Sequence, residues 1–127
     1  MYLIETEVKL SEIHGLGTFT IHPILVGTVV WRFDPIIDRI IRKDEIQYLP
    51  DHVIEHLRVY STTDPDGHYR IALDNNKFTN HSYEPNTIWD EYEWVFKAAR
   101  NIEAGEELTK NYTTYSQSAF AKSLNDK

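Results

Sequence analysis

The sequence predicts a mainly β protein in a single domain, and three observations support this: the chain length, short strand-like segments and frequent turn signals. The chain has 127 residues, of which 41% are hydrophobic and 26% are charged, as is usual for one globular domain. Short segments rich in β-branched or aromatic residues end at turn residues, as strands do. These segments are residues 2–10, 18–21, 29–33, 59–62, 70–73, 87–89 and 93–98. Neither a repeat nor a linker interrupts them, so we expect one domain over residues 1–127.

One stretch has the spacing of a helix. Its apolar residues recur every three or four positions, which is typical of one helix face. They are Ile46, Leu49, Val53, Ile54 and Leu57. Pro50 interrupts the stretch and suits the first turn of a helix, so we expect two short helices within residues 44–57. A short helix or a tail is expected over residues 116–127.

Turn signals predict where the chain reverses. Residues 64–67 predict a hairpin between the strand near Tyr60 and the strand at 70–73, and residues 90–92 predict the next reversal. The two glycines within residues 15–17 predict a tight turn with positive φ. A strand is expected after this turn and a third glycine is missing, which excludes a dinucleotide-binding fingerprint.

Composition narrows the classes of function. The chain has no cysteine, which removes disulfides, thiolate metal sites and cysteine nucleophiles. Its formal net charge of −7 disfavours direct nucleic-acid binding and favours a basic partner, although solubility alone also explains it. No apolar run approaches the roughly 20 residues of a membrane span, and the acidic N-terminal segment does not resemble a signal peptide. We therefore expect no membrane association and a cytoplasmic location, with a secreted effector left open.

Residues 52–56 match the H-x-x-E-H pattern of one class of zinc proteases. His52 and His56 are four positions apart, so they share a helix face that could hold one zinc ion. A third ligand and a substrate cleft are not evident, and the neighbouring Ile54 and Leu57 are better explained as core residues. We expect a surface helix here and no metal site.

Two polar segments are stronger candidates for a functional site than residues 52–56. Residues 80–86 place asparagine, histidine and serine before a proline-containing turn, and buried polar groups of this kind must be paired. A structural network and a polar ligand explain this segment equally well. Residues 102–112 contain a turn glycine, an acidic pair and then Tyr112. A tyrosine packs, hydrogen-bonds or handles protons, and core packing is the default for Tyr112 and Tyr115.

The order and spacing of these segments resemble the SET-domain protein lysine methyltransferases. The matching segments are residues 11–19, 24–30, 80–86 and 99–112. The motif-bearing core extends over about residues 7–115, and the length resembles a minimal, single-domain member of the bacterial or viral type.

The resemblance implies a particular mainly β fold. In SET domains, small β-clip-like sheets accompany a short helical insert and a C-terminal pseudoknot, which is an exception to the usual absence of threaded chains. It implies that residues 80–82 and 106–112 lie side by side at that crossing. The cofactor would bind on one face, and a lysine would enter from the other face through a narrow channel.

The resemblance also implies a cofactor, S-adenosylmethionine, which becomes S-adenosylhomocysteine. By position, the backbone of Leu16 and Gly17 would contact it, and His14 and Gly15 would shape their loop. Trp31 would line the cofactor pocket.

Three further residues match the polar motifs of the family. Asn80 would hold the amino-acid end of the cofactor, and His81 would contact its adenine side. Tyr112 matches the catalytic tyrosine, whose hydroxyl orients the lysine amine. The implied activity is methyl transfer to the side-chain amine of a lysine in a basic protein substrate.

An aromatic channel suits this chemistry. Methyl transfer from a sulfonium requires in-line alignment and a neutral amine, although lysine has a pKa near 10.4 in water. Burial among aromatic rings lowers that pKa, and ring faces attract the arriving cation. The available wall residues are Tyr60, Tyr69, Tyr83, Tyr115 and Phe120. Tyr115 is ranked first because it follows the catalytic segment, and Tyr69 is a second candidate for the channel.

Some positions depart from the family pattern. Tyr83 replaces the usual cysteine, and Asn111 replaces an aspartate. Lys110 stands where many members have the phenylalanine or tyrosine that sets the number of methyl groups. The zinc-binding cysteines that close the channel are absent, so residues 113–127, a homodimer partner or the substrate would close it. A catalytically weak SET module that binds cofactor or a basic peptide is therefore the alternative function.

Overall fold

The structure is a computed structural model that describes residues 1–115. Short strands predominate in this part of the chain, which confirms the mainly β prediction. The strands are β1 (Thr6–Leu10), β2 (Leu16–Thr20), β3 (Val29–Arg32), β4 (Asp38–Ile41), β5 (Ser61–Thr63), β6 (Tyr69–Ala72), β7 (Asn80–His81), β8 (Thr87–Asp90), β9 (Val95–Ala98) and β10 (Thr109–Lys110). The helices are α1 (Lys43–Ile46) and α2 (Asp51–Tyr60), and 3-10 turns cover Asn75–Phe78 and Tyr112–Thr114. The helix or tail expected at 116–127 lies outside the described residues.

The described strands pair into small sheets. β1 pairs with β2, β9 lies between β3 and β8, and β6 lies between β4 and β5, all in antiparallel pairs. The predicted reversals are confirmed, because residues 64–68 connect β5 to β6 and residues 91–94 connect β8 to β9. The predicted turn at residues 15–17 leads into β2, and Gly15 has a φ of 47°.

β4 was not expected from the sequence, because its first residue is the acidic Asp38. That carboxylate is buried, and it accepts hydrogen bonds from the Met1 amine at 2.6 Å and from the Asp34 amide at 2.8 Å. A buried charge is tolerated when it is paired in this way. The pairing joins residues that are 37 positions apart, so a local pattern does not reveal it.

The helical stretch divides at Pro50, as predicted. α2 continues to Tyr60, so it includes the start of the strand expected at 59–62. The helix ends where the Ser61 hydroxyl donates to the Leu57 carbonyl. His52 lies on the exposed side, and the His56 ring packs 4.6 Å from that of Tyr60.

Neither a metal cluster nor a membrane span is found in residues 1–115. No group of three or more histidine, cysteine or acidic side chains is arranged there to hold a metal ion. No described helix has the length and apolar character needed to cross a bilayer.

A hydrophobic core connects residues 102–108 to the sheet of β3, β9 and β8. Its buried residues are Ile24, Val30, Phe96, Ala98, Ile102 and Leu108. Ile24 and Ile102 exchange two backbone hydrogen bonds of 2.8 Å, and Leu108 is fully buried. These contacts hold the chain that leads into β10.

β10 lies beside β7 as a parallel pair, with Thr109 opposite Asn80 and Lys110 opposite His81. This confirms the predicted proximity of residues 80–82 and 106–112. Asn86 supports the pair, because its side-chain amide donates to the Glu107 carbonyl at 2.8 Å and its oxygen accepts from the Thr109 amide at 2.9 Å. The fold therefore brings the two polar sequence motifs together.

Candidate active site

Two cavities meet beside the paired strands. The larger has a volume of about 710 Å³, within the range of small-molecule sites, and the smaller has about 80 Å³. The residues that line both cavities are Arg58, Val59, Tyr60, Lys77, Thr79 and Tyr112. The wall between the two spaces therefore includes Tyr112, the predicted catalytic residue.

Tyr112 is anchored at both its backbone and its hydroxyl. The hydroxyl donates to the Thr79 carbonyl, and the backbone amide donates to Nδ1 of His81 at 3.1 Å. Burial, together with a smaller effect of the Glu107 carboxylate, raises the pKa of Tyr112 to about 12. The hydroxyl therefore stays protonated near neutral pH and acts as a hydrogen-bond donor.

Asn80 connects the loop before β2 with the paired strands β7 and β10. It lines the larger cavity with His14, Gly15 and Leu16. Its Nδ2 lies 3.1 Å from the His14 carbonyl, 3.0 Å from the Leu16 carbonyl, 3.1 Å from Ser11 Oγ and 2.9 Å from Glu107 Oε2. The amide donors of Asn80 are therefore directed at the loop.

The sequence does not indicate that Ser11 and Glu107 form a pair, although both belong to matching motifs. Ser11 Oγ lies 2.7 Å and 2.9 Å from the two oxygens of the Glu107 carboxylate. Gly17 is needed beside this pair, because an added Cβ would lie only 2.6 Å from Glu107 Oε2. Gly17 is buried and does not line the larger cavity.

The two ring nitrogens of His81 have different surroundings. Its Nδ1 accepts from the Tyr112 amide, so the proton of the neutral ring lies on Nε2. Burial lowers the pKa of His81, which favours that neutral form. Nε2 is buried and has no hydrogen-bond partner among the described residues. The exposed Tyr83 covers the imidazole at 4.5 Å and lines neither cavity.

Aromatic rings form much of the smaller cavity. The Phe96 ring lies 5.8 Å from Trp31, 5.0 Å from Trp89 and 4.9 Å from Tyr115. The Tyr115 hydroxyl and the Trp31 Nε1 are buried without a hydrogen-bond partner in residues 1–115. The residues that line this cavity thus supply ring faces and two polar groups that lack a hydrogen-bond partner among the described residues.

Two aromatic residues among the predicted site residues line different cavities. Trp31, predicted as a cofactor residue, lines the smaller cavity. The β3–β9 pair has a register shift between Val29 and Trp31. Tyr69, predicted as a candidate for the substrate channel, lines the larger cavity.

Lys110 projects into the smaller cavity and is only 6% exposed. Its Nζ donates to Asn76 Oδ1 at 2.9 Å and lies 5.4 Å from the ring centre of Phe96 and 5.2 Å from that of Tyr115. Burial lowers the pKa of Lys110 to about 7, although the nearby carboxylates of Asp74 and Asp38 raise it. The structure therefore places Lys110 and Tyr115 together in the smaller cavity.

Comparison with known proteins identifies the family. The SET domain family model matches residues 15–113, which is more than half of the chain. The chain therefore belongs to the SET-domain family, and its small sheets and paired crossing strands have the fold of that family. No curated protein sequence matches the chain.

Two solved structures are similar in fold. A Plasmodium falciparum protein assigned as a candidate histone methyltransferase has a TM-score of 0.61 and 18% sequence identity, covering 86% of this chain and 93% of that chain. The other is a humanized mutant of the Chaetomium thermophilum Polycomb Repressive Complex 2 bound to the inhibitor GSK126. It matches with a TM-score of 0.64 and 25% identity, over 90% of this chain and 15% of that chain. Family and fold together support membership in a methyltransferase family.

Proposed function

We propose that the protein transfers a methyl group from S-adenosylmethionine to the side-chain amine of a lysine in a basic protein. The observation that carries this proposal is the position of Tyr112 on the walls of both cavities. A transferase of this kind needs a cofactor site and an acceptor site that meet at one point.

The larger cavity has groups that fit the cofactor. S-adenosylmethionine, when bound, supplies a methyl group on a positively charged sulfur. The buried Nε2–H of His81 is a donor without a partner in residues 1–115, which suits the acceptor atoms of an adenine. Among the described residues, apart from its two chain neighbours, no atom lies within 4 Å of the position that a Cβ on Gly15 would occupy, so the loop backbone is open to a ligand. Asn80 would hold that loop in place.

The smaller cavity has groups that fit a lysine. Aromatic faces attract an ammonium ion, and burial then favours loss of its proton. The neutral amine is the form that attacks the methyl carbon. Tyr112, held by the Thr79 carbonyl, would orient that amine.

The alternative is a SET module that binds cofactor or a basic peptide with little or no turnover. One observation favours it: the amine of Lys110 already lies in the smaller cavity. An internal lysine there would compete with a lysine from a substrate.

A calorimetric titration tests the cofactor assignment. S-adenosylmethionine and S-adenosylhomocysteine are each titrated into the purified chain, and we expect one-site binding of both with micromolar affinity. ATP is the control, because it shares the adenosine group and lacks the amino-acid end. Failure of both methionine-derived compounds to bind would contradict the proposed function.

A further inference from the structure

The chain places one of its own amines in the cavity proposed for the substrate amine. Nζ of Lys110 faces the rings of Phe96 and Tyr115 and makes one hydrogen bond within residues 1–115, to Asn76. An ammonium has three donors, so the single amide oxygen does not satisfy a charged group. This is the environment that methyl transfer requires of an acceptor lysine.

The charged groups around Lys110 do not keep its amine fully protonated at neutral pH. Asp38 and Asp74 favour the charged form, but neither forms an ion pair with Lys110 within the described residues. The Met1 amine is also close enough to interact with Lys110, and like charges oppose each other. With a pKa of about 7, about half of the Lys110 amines are neutral at pH 7. An ordinary lysine is neutral in only about one molecule in 2,500 at that pH, given a pKa near 10.4.

Lys110 is also close to the junction of the two cavities. It lies two positions before Tyr112 on the segment that β7 holds in place. Its side chain is flexible and lines the same cavity as Tyr112. The cavity volume of about 80 Å³ is several times the roughly 10–15 Å³ that one water requires, so a methyl group fits beside the amine.

We propose that Lys110 is a methyl-acceptor site and that each chain methylates its own Lys110 with S-adenosylmethionine. This inference rests on the proposed function. The lone pair of the neutral Nζ forms an N–C bond as the methyl C–S bond breaks, and the bonding electrons remain on sulfur to give S-adenosylhomocysteine. The resulting N-methylammonium releases one proton to water.

The test uses the purified full chain and S-adenosylmethionine with a deuterated methyl group, which distinguishes new methyl groups from any added during expression. Cleavage after Glu107 gives a peptide that contains Lys110, Lys122 and Lys127, and fragmentation assigns the label to one of these three lysines. Lys97 is the internal control, because Asp90 and Glu93 raise its pKa and keep it charged. Poly-L-lysine in a parallel sample reports transfer to an external amine.

A mixture with Tyr112→Phe determines whether transfer occurs within one chain. The variant retains Lys110, and the substitution changes the mass of the same peptide, so the labels on the two chains are counted separately. We expect label on Lys110 of the wild-type chain, none on Lys97 and little on Lys110 of the variant. The fraction of wild-type chains that is labelled per unit time should not depend on protein concentration.

Lower pH gives a second readout. Because protonation removes the nucleophile, labelling of Lys110 should fall about tenfold for each pH unit below 6, where nearly all of the amine is charged. Label on poly-L-lysine with none on Lys110 would overturn this inference and leave the proposed function standing. Bound cofactor with no label on either acceptor would overturn both.

Discussion

Gly17 and Lys110 each lie close to side chains from distant parts of the chain. The glycine motif predicted a tight turn, and Gly15 has the positive φ that such a turn requires. Gly17 is required for another reason, the close approach of Glu107 from 90 positions away. The near-neutral pKa of Lys110 likewise depends on rings and carboxylates that are distant in sequence.

The ionisation of Lys110 makes a prediction about stability. The pKa of its amine is about 7 in the folded protein and near 10.4 when unfolded, so the unfolded chain binds the extra proton between these values. Stability that depends on this group therefore increases as pH rises from 7 toward 10. Lys110→Met removes the cost of burying the amine and should stabilise the protein at pH 7 by about 2–4 kcal/mol.

Denaturant unfolding at pH 7, 8 and 9 measures this difference. The advantage of Lys110→Met over the wild type should shrink as the pH rises. Lys9→Met, a change at an exposed lysine, is the control and should differ little from the wild type at every pH. A constant difference between Lys110→Met and the wild type would show that Lys110 is an ordinary charged lysine.

Asn80 makes a prediction about cofactor binding. Asn80→Ala removes the amide that lies within 3.1 Å of the His14 and Leu16 carbonyls, so the loop beside the larger cavity should lose its anchor. Affinity for S-adenosylhomocysteine should fall by about tenfold, equivalent to about 1.4 kcal/mol. Calorimetry measures this, and a thermal unfolding scan confirms that the variant is folded. Unchanged affinity in a folded variant would contradict the role given to Asn80.

At the scale of elements, turn chemistry predicted the connections well and predicted strand faces poorly. The hairpin at residues 64–67 and the break at Pro50 depend on local backbone preferences, and both are present. The register shift in the β3–β9 pair and the burial of Asp38 in β4 depend on partners from other segments. The proximity of β7 and β10 was expected only because their motifs resemble a known family.

Asn86 makes a prediction about the crossing of these elements. Its side chain is buried and pairs with the backbone of Glu107 and Thr109. Asn86→Ala leaves those buried groups without partners and should cost about 2–4 kcal/mol of folding stability. Asn101→Ala is the matched control, since it removes an exposed bond to the Val26 amide and should cost less than about 1 kcal/mol.

Urea unfolding of the two asparagine variants measures both costs. Equal stability of Asn86→Ala and Asn101→Ala would mean that the buried amide does not hold the crossing. In that case, the core residue Leu108 would be the principal anchor of β10.

At the scale of the whole molecule, the net negative charge of the chain is expected to strengthen the binding of a basic substrate. The chain has 20 acidic and 13 basic residues, so a basic substrate is attracted over a distance. The KM for poly-L-lysine should increase with salt, because the Debye length falls from about 10 Å at 0.1 M to about 3 Å at 1 M. Affinity for S-adenosylhomocysteine, which has no net charge at neutral pH, is the control and should change little. A KM that is insensitive to salt would leave the acidic surface with a role in solubility alone.

Methyl transfer by the wild type and by Tyr112→Phe, measured with labelled S-adenosylmethionine and poly-L-lysine, tests the central claim most directly. The account predicts that the wild type labels the acceptor and that the variant loses most of this activity, by about a hundredfold or more. The variant should still bind S-adenosylhomocysteine, because the larger cavity keeps its other walls. Equal labelling by the two proteins would contradict the claim that the cavities act together at Tyr112.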